Sequence, residues 1–415
     1  MCRIAPKLAI LCLLMRFAVH GATPHVMLDR SGDLSWSLPF SSGQLIIAST
    51  TNLTGPWAPY SAMVLSESTG SMWLPFTNQS QLYQVFVVDS ASAPPGMRLV
   101  PSGDFLMGDD NPATYPNEKP RRAVRVSAFL VDQFEVTNQQ MRDMLQWAYE
   151  LGRISVDLSR MASISALFGE VQPLVQCKGL VDSTAHSQVT FTNGVFGIEE
   201  GKTNHPCVGI SWYGAAAYCN WRSEREGLEQ CFSLTNWTCD FNRSGYRLPT
   251  EAEWEKAARG GFTGQHYPWL SPMVPGVTWT SYITTNFATY TPVGLPHPFR
   301  TTAVGYYNGT QLPPGPDTMN GYGLYDVVGN VREWCWDWYR SNYYSSVEAT
   351  FDDPVGPIAG DVISWNGGSG PTRVTRGGSF DENQKNVRCA FRGQPYQSAP
   401  RFAHWYHGMR CVRRP

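Results

Sequence analysis

Asp326, Glu333, three tryptophans and turn-forming glycines fall within one short run, Gly321 to Trp338 (GYGLYDVVGNVREWCWDW). Gly323 and Gly329 permit backbone angles that a Cβ disfavours. Asp326, Glu333 and the carbonyls of Gly329 and Val331 can therefore bend toward a common point. Hard oxygen donors on a tight turn suit Ca²⁺, which takes about six to eight of them. The competing reading is a turn whose acids face water, and the spacing is not that of an EF-hand loop.

A second concentration of chemistry lies in Gly393 to Gly408, which gathers Tyr396, Phe402, His404, Trp405, Tyr406 and His407. Aromatic side chains give large contact area at small entropic cost, as expected of a surface that binds a protein or glycan ligand. The alternative makes Trp405 and Tyr406 core residues packed before the last strand. His404 and His407 with Glu382 offer nitrogen and oxygen donors for a metal, although paired histidines on an apolar loop more often serve structure. Glu251, Glu253 and Glu255 sit in the first turn of a helix, where its dipole favours them. They read as helix stabilisers at a solvated end, with Trp254, Ala257 and Ala258 as the buried face.

Several elements must position these groups. Thr137 and Gln140 form a capping box for a helix to about Glu150, Ser211 caps Trp212–Arg225, and Thr250 with Glu253 caps a helix that Gly260-Gly261 ends. Met97 to Gly108 reads as two strands broken at Pro101-Ser-Gly103, and Arg125 to Asp132 as one more. Residues 151–205 read as a loop-rich insertion with a hairpin at Val189–Ile198, turning at Asn193-Gly194. Phe262 to Asp317 shows little periodicity.

Residues 24–89 alternate short β-type runs with turn residues, which predicts a small sandwich-like module serving as spacer or docking unit. Residues 90–96 read as a linker to a domain spanning 97–415. Met1 to Ala22 reads as a secretory signal peptide, which implies a secreted, periplasmic or cell-surface protein. No later segment is apolar and long enough to cross a bilayer. The 415 residues are 42% hydrophobic and 13% aromatic, ample for a large core. A formal charge of −2 without basic blocks excludes a nucleic-acid partner. Oligomeric state is not legible.

Beyond the leader stand Cys177, Cys207, Cys219, Cys231, Cys239, Cys335, Cys389 and Cys411, an even set that favours disulfides in an exported chain. Cys231 and Cys239 bracket a short polar loop and form a natural local pair. No Cys-x-x-Cys occurs, which disfavours zinc.

The run at Gly321–Trp338, Arg247-Leu-Pro-Thr-Glu-Ala-Glu-Trp-Glu255, Arg376-Gly-Gly-Ser-Phe380 and Gly408-Met-Arg-Cys-Val412 appear in one order. In these motifs the chain resembles the formylglycine-generating enzyme (sulfatase-modifying factor) family from about Met97 onward. The resemblance implies an α+β, C-type-lectin-like fold with little regular secondary structure and bound Ca²⁺. Asp326, Gly329, Val331 and Glu333 match the family's second calcium site, and of the other only Asn286-Phe287 fits. Cys219 with Cys411 matches a family bridge. Cys389 matches a structural cysteine whose usual partner position is Ala258 here, which makes Cys335 a substitute partner.

Active members oxidise a sulfatase cysteine with O₂, using copper held between two cysteines just beyond the Gly-Gly-Ser motif. Here, past Ser379, the first thiol's place holds Glu382, and the second is Val387 or deleted. Cu(I) needs soft thiolates, so copper is not expected. What the resemblance then implies is a calcium-stabilised binding protein without the oxidase activity, its candidate pocket at Ser379 and Glu382 and its C-terminal surface open to diversification. The alternative is an oxidoreductase acting on a protein or small-molecule thiol through a rearranged site, with Cys335 and Cys389 as redox pair.

Overall fold

The computed structural model describes residues 93–157, 161–165, 171–178, 187–262, 264–269, 285, 288–290 and 300–415, together with the backbone of seven strands between Leu13 and Asp89. Those seven strands make two sheets. One runs Leu13–Ala18, Leu82–Asp89, Gly43–Thr50, Ala58–Leu65, and the other His25–Leu28, Asp33–Ser37, Thr69–Trp73. Leu13–Ala18 falls inside the stretch read as a leader and pairs in parallel with Leu82–Asp89.

From residue 93 onward, three helices stand among short strands in the described residues, a mixed architecture with little regular structure. Helix α1, Asn138–Glu150, starts at Thr137, whose hydroxyl accepts from the Gln140 amide while the Gln140 side chain accepts from the Thr137 amide. It buries Met141, Met144, Leu145 and Ala148, one stripe at helical spacing. Helix α2, Trp212–Arg225, is capped by Ser211, which accepts from Gly214 N at 3.0 Å. A Cβ on Gly214 would meet the Leu174 carbonyl oxygen at 2.2 Å, so only glycine lets this helix lie on the strand Val171–Gln176. Helix α3, Glu251–Arg259, has the capping box expected of Thr250 and Glu253 and ends at Gly260 with φ 61°.

Two strand groupings set the site. Arg332–Trp338 lies between Arg373–Arg376, antiparallel with Glu333 opposite Arg376, and His407–Gly408, parallel with Arg332 opposite His407. Val412–Arg413 pairs with Phe129–Asp132, which pairs with Met97–Val100, so the chain's end closes against the start of this domain. Trp254 and Trp334 are buried in two adjoining hydrophobic clusters. Each such ring removes about 150–250 Å² from water, on the order of 4–6 kcal/mol as an upper bound.

Three expectations need correction. Arg125 to Asp132 is two strands, Arg122–Val126 paired with Gly103–Met107 and then Phe129–Asp132. The break is Ser127, whose amide and hydroxyl both donate to the Asp353 carboxylate, at 2.5 and 2.6 Å. Within residues 151–205 a three-stranded sheet, Ser155–Val156, Met161–Ser165 and Val171–Gln176, stands where loop was expected. The hairpin at Val189–Ile198 has the left-handed turn foreseen, with φ 51° at Asn193 and 83° at Gly194. The third correction concerns the α3 glutamates. Glu251, Glu253 and Glu255 are buried, not solvated, because distant Arg376 and Arg392 and nearby Arg247 and Arg259 reach them.

Candidate functional site

At the turn Asp326–Val331, Asp326 and Asn330 adopt φ 56° and 53° on either side of Gly329 at 79°. A Cβ on Gly329 would come within 2.5 Å of the Thr289 carbonyl oxygen, so glycine is obligatory here. Asp326 accepts from Gly305 N at 2.6 Å, and burial pushes its carboxyl up to about 6. Glu333 faces Arg410, which donates to both carboxylate oxygens at 2.7–2.9 Å, while the Trp254 indole N–H donates at 2.7 Å. Sequence reasoning missed Glu135, which accepts from Asn330 Nδ2 at 2.7 Å and Val331 N at 3.2 Å. Burial, together with the Asp326 and Glu333 carboxylates, holds it well above the usual range.

This arrangement bears on the calcium expectation. The Glu333 carboxylate is filled by four donor contacts from Arg410 and Trp254, so it does not fit as a calcium ligand. Asn286 lies outside the described residues. Among the described residues no cluster of three or more His, Cys, Asp or Glu side chains could hold a metal ion.

The second site forms where the Gly-Gly-Ser loop meets the central strand. Gly377 and Gly378 take φ 88° and 73°, and a Cβ on Gly378 would lie 2.2 Å from the Asn386 carbonyl oxygen. This close approach buries Ser379 and turns Glu382 inward. Arg332 then grips Glu382 with two parallel hydrogen bonds, Nε to Oε2 and Nη2 to Oε1, both 2.8 Å. Such fork-on-carboxylate pairs are the strong ones. Glu382 is thus unavailable to a metal shared with His404 and His407.

Around this pair runs a chain of aromatic contacts. Ring centroids are 5.2 Å apart for Trp365–Phe402, 5.5 Å for Phe402–His404, 5.1 Å for His404–Tyr406, 5.0 Å for Tyr406–His407 and 4.4 Å for His407–Trp334. The Arg332 guanidinium lies 4.9 Å from the Tyr406 ring centre. Of the six predicted recognition residues, Tyr396 is exposed, and Phe402, His404 and Trp405 are half-buried. Tyr406 and His407 are interior. They are held there by Arg332, Trp334 and the parallel strand, so they support the surface from beneath and do not face a ligand. Burial and the Arg332 charge press both histidines down, His407 well below the ordinary imidazole value, which keeps both neutral at pH 7. The His407 ring nitrogens lack a well-formed hydrogen bond, as do Tyr406 OH and Arg332 Nη1. Arg332 lies inside the Gly321–Trp338 run, where the expectation rested on the acids and the turn carbonyls. Trp365, on the hairpin Val362–Trp365 and Gly368–Pro371, carried no signal at all.

Beneath this site α3 is clamped by arginines. Arg392 holds Glu251 at 2.7 and 3.0 Å, Arg247 holds Glu253 at 2.6 and 2.7 Å, and Arg259 and Arg376 converge on Glu255. Asp337 accepts from Glu251 N at 2.7 Å, and burial with the nearby Glu251 charge pushes its carboxyl up to about 8. A carboxyl raised in this way binds its proton more tightly folded than unfolded. Its contribution to stability is complete below about pH 4 and is lost as pH rises through about 8. Asp337→Asn keeps the acceptor without the charge. It is expected to flatten the fall in melting temperature between about pH 4 and 8, where the wild type loses up to about 1.4 kcal/mol per pH unit.

The cysteines divide by place. Cys219 and Cys411 bring their sulfurs to 3.7 Å as thiols. Cys231 and Cys239 lie on one tight loop, where Phe232 bridges Cys239 and Asp240 N donates to Cys231 O at 2.9 Å. Cys335 and Cys389 are not joined. The Cys389 sulfur faces the Ala258 carbonyl at 3.8 Å, while Cys335 lies on the central strand. Burial pushes the Cys389 thiol up to about 12 and Cys335 well above its ordinary value, which argues against either as a reactive thiolate.

Comparison with known proteins agrees with the motifs. The family profile described as the sulfatase-modifying factor enzyme 1-like domain matches residues 84–415. The formylglycine-generating enzyme of Thermomonospora curvata is 32% identical over 335 residues, covering 77% of this chain and 94% of that protein. The Mus musculus protein named inactive C-alpha-formylglycine-generating enzyme 2 is 30% identical over 264 residues, covering 60% of this chain and 70% of its own. Among solved structures, Treponema denticola variable protein 1 is similar with a TM-score of 0.49 and 24% identity, over 77% of this chain and 95% of that one. The chain belongs to the sulfatase-modifying factor, or formylglycine-generating enzyme, family.

Proposed function

We propose that this chain is an exported binding member of the family that does not make formylglycine. The observation that carries the reading is the Arg332–Glu382 pair. Where the family resemblance places the first copper thiolate, a buried carboxylate is closed by a guanidinium. Where it places the second, Val387 is fully buried. A hard carboxylate already paired with a cation has no affinity for Cu(I) comparable to that of two thiolates. Half-buried Trp365, Phe402, His404 and Trp405, with exposed Tyr396, then supply the contact surface for a protein or glycan. Residues 24–89 serve as a sandwich-like spacer or docking unit. A mouse relative named inactive is consistent with a scaffold kept without its oxidation.

The deciding assay incubates the purified protein with a Cys-x-Pro-x-Arg peptide, copper and O₂ and looks for the aldehyde by mass spectrometry. No aldehyde above the peptide-and-copper blank is expected. Enzyme-dependent aldehyde would overturn the reading and favour an oxidase working through a rearranged site.

A further inference from the structure

A cavity opens where three short 3-10 turns meet, Pro116–Glu118, Tyr343–Ser345 and Pro395–Gln397. Its volume is about 510 Å³, within the roughly 300–1,000 Å³ typical of small-molecule sites. None of its lining residues belongs to the Arg332–Glu382 site. Tyr115 and Phe391 form an aromatic wall, with ring centroids 5.9 Å apart and planes inclined at 54°. The Tyr115 ring is fixed, its hydroxyl donating to Asn386 Oδ1 at 2.9 Å. An aromatic wall held in place in this way costs little entropy when a ligand packs against it.

The polar lining has capacity left over. Asn117 donates its amide N–H to Tyr339 OH at 2.9 Å, but its side-chain oxygen is buried without a partner. Asn342 occupies the cap position of its turn and makes no capping bond. Ser345 adds a hydroxyl, and Lys119 stands in the lining and makes no ion pair among the described residues. Arg392, also in the lining, is committed to Glu251. No carboxylate lines the cavity.

We infer that this cavity binds a pyranose ring bearing a carboxylate, the chemistry of an acidic monosaccharide unit. A pyranose has an apolar C–H face that packs on an aromatic ring, and an edge of hydroxyls that both donate and accept. Ring hydroxyls can pair with the exposed Asn342 and Ser345 side chains of the lining, which a purely apolar ligand cannot do. The unpaired Lys119 ammonium selects for negative charge and against a basic ligand. Tyr396, on the turn Pro395–Gln397, neighbours both, but no residue lining this cavity belongs to the proposed recognition surface, so each can fail without the other.

The test titrates the full chain with glucuronic acid and with glucose, followed by ligand-observed NMR. Glucuronic acid is expected to bind about tenfold more tightly than glucose. Lys119→Met should erase that preference, and Asn342→Trp, a change at an exposed position that fills the cleft, should abolish binding of both sugars while leaving the melting temperature unchanged. The inference is overturned if neither sugar binds, if the preference survives Lys119→Met, or if Asn342→Trp binds as the wild type does.

Discussion

Glu255→Gln is expected to destabilise the protein by about 3–5 kcal/mol, the range for removing one partner of a buried ion pair. The side chain is fully buried and receives Arg259, Arg376 and the Gly108 amide, the last at 2.7 Å. Glutamine fills the same volume, so packing is retained and the change isolates charge. Arg376 keeps Glu251 as a partner, at 3.4 Å. Arg259 keeps only carbonyl acceptors, Gln265 O and Gly108 O. A guanidinium buried without a counter-charge is what makes the loss large. At roughly 2–4 °C per kcal/mol for a domain of this size, the melting temperature should fall by about 6–20 °C. The internal control is Glu224→Gln. Its bond to Arg153 is just as short, 2.6 Å, but both side chains are 34% exposed, so water screens the pair. That change should cost less than about 1 kcal/mol. Equal shifts for the two variants would refute the view that burial, not hydrogen-bond length, sets the worth of these pairs.

The contrast also explains what was legible in the sequence. The caps of α1, α2 and α3 were readable because Thr137 with Gln140, Ser211 with Gly214, and Thr250 with Glu253 interact across three residues, a distance that fits inside a motif. Glu255 and Arg376 are 121 residues apart, and Glu251 and Arg392 are 141. No local pattern announces such a pair, so Glu251 and Glu255 looked like solvated helix stabilisers, whereas the Arg247–Glu253 pair, only 6 residues apart, lay within one motif. The bonds from Arg410 and Trp254 to Glu333 were hidden for the same reason, since both residues arrive from elsewhere in the chain. The C-terminal aromatic run was plain in the sequence, but which rings face outward was not legible. That is decided by two residues of parallel pairing, Arg332 with His407 and Glu333 with Gly408, which bury His407 beside Trp334 and leave His404 near the surface. The cavity at Tyr115 was invisible because its walls come from three turns spread over nearly 300 residues of sequence.

Glu382→Ala is the second change of large expected effect, and it separates a closed structural pair from a working site. Alanine would leave Arg332 buried, with the Tyr406 ring as its remaining electrostatic support at 4.9 Å. A ring face offers an ammonium or guanidinium about 0.5–2 kcal/mol, too little to offset desolvation, so the single variant should lose about 3–5 kcal/mol. Arg332→Met should lose a similar amount by stranding Glu382. The double variant, with neither charge, should fall well short of the sum, giving a coupling of about 2–3 kcal/mol by denaturant unfolding. That coupling matters for function. If it is present, the place where relatives by resemblance hold copper is a sealed part of this protein's interior, and its surviving chemistry is contact at the aromatic surface above. If Glu382→Ala costs less than about 1 kcal/mol, the carboxylate is exchangeable and not structural. The pair would then be a poor reason to deny this position a catalytic role, and the binding reading would lose its main support.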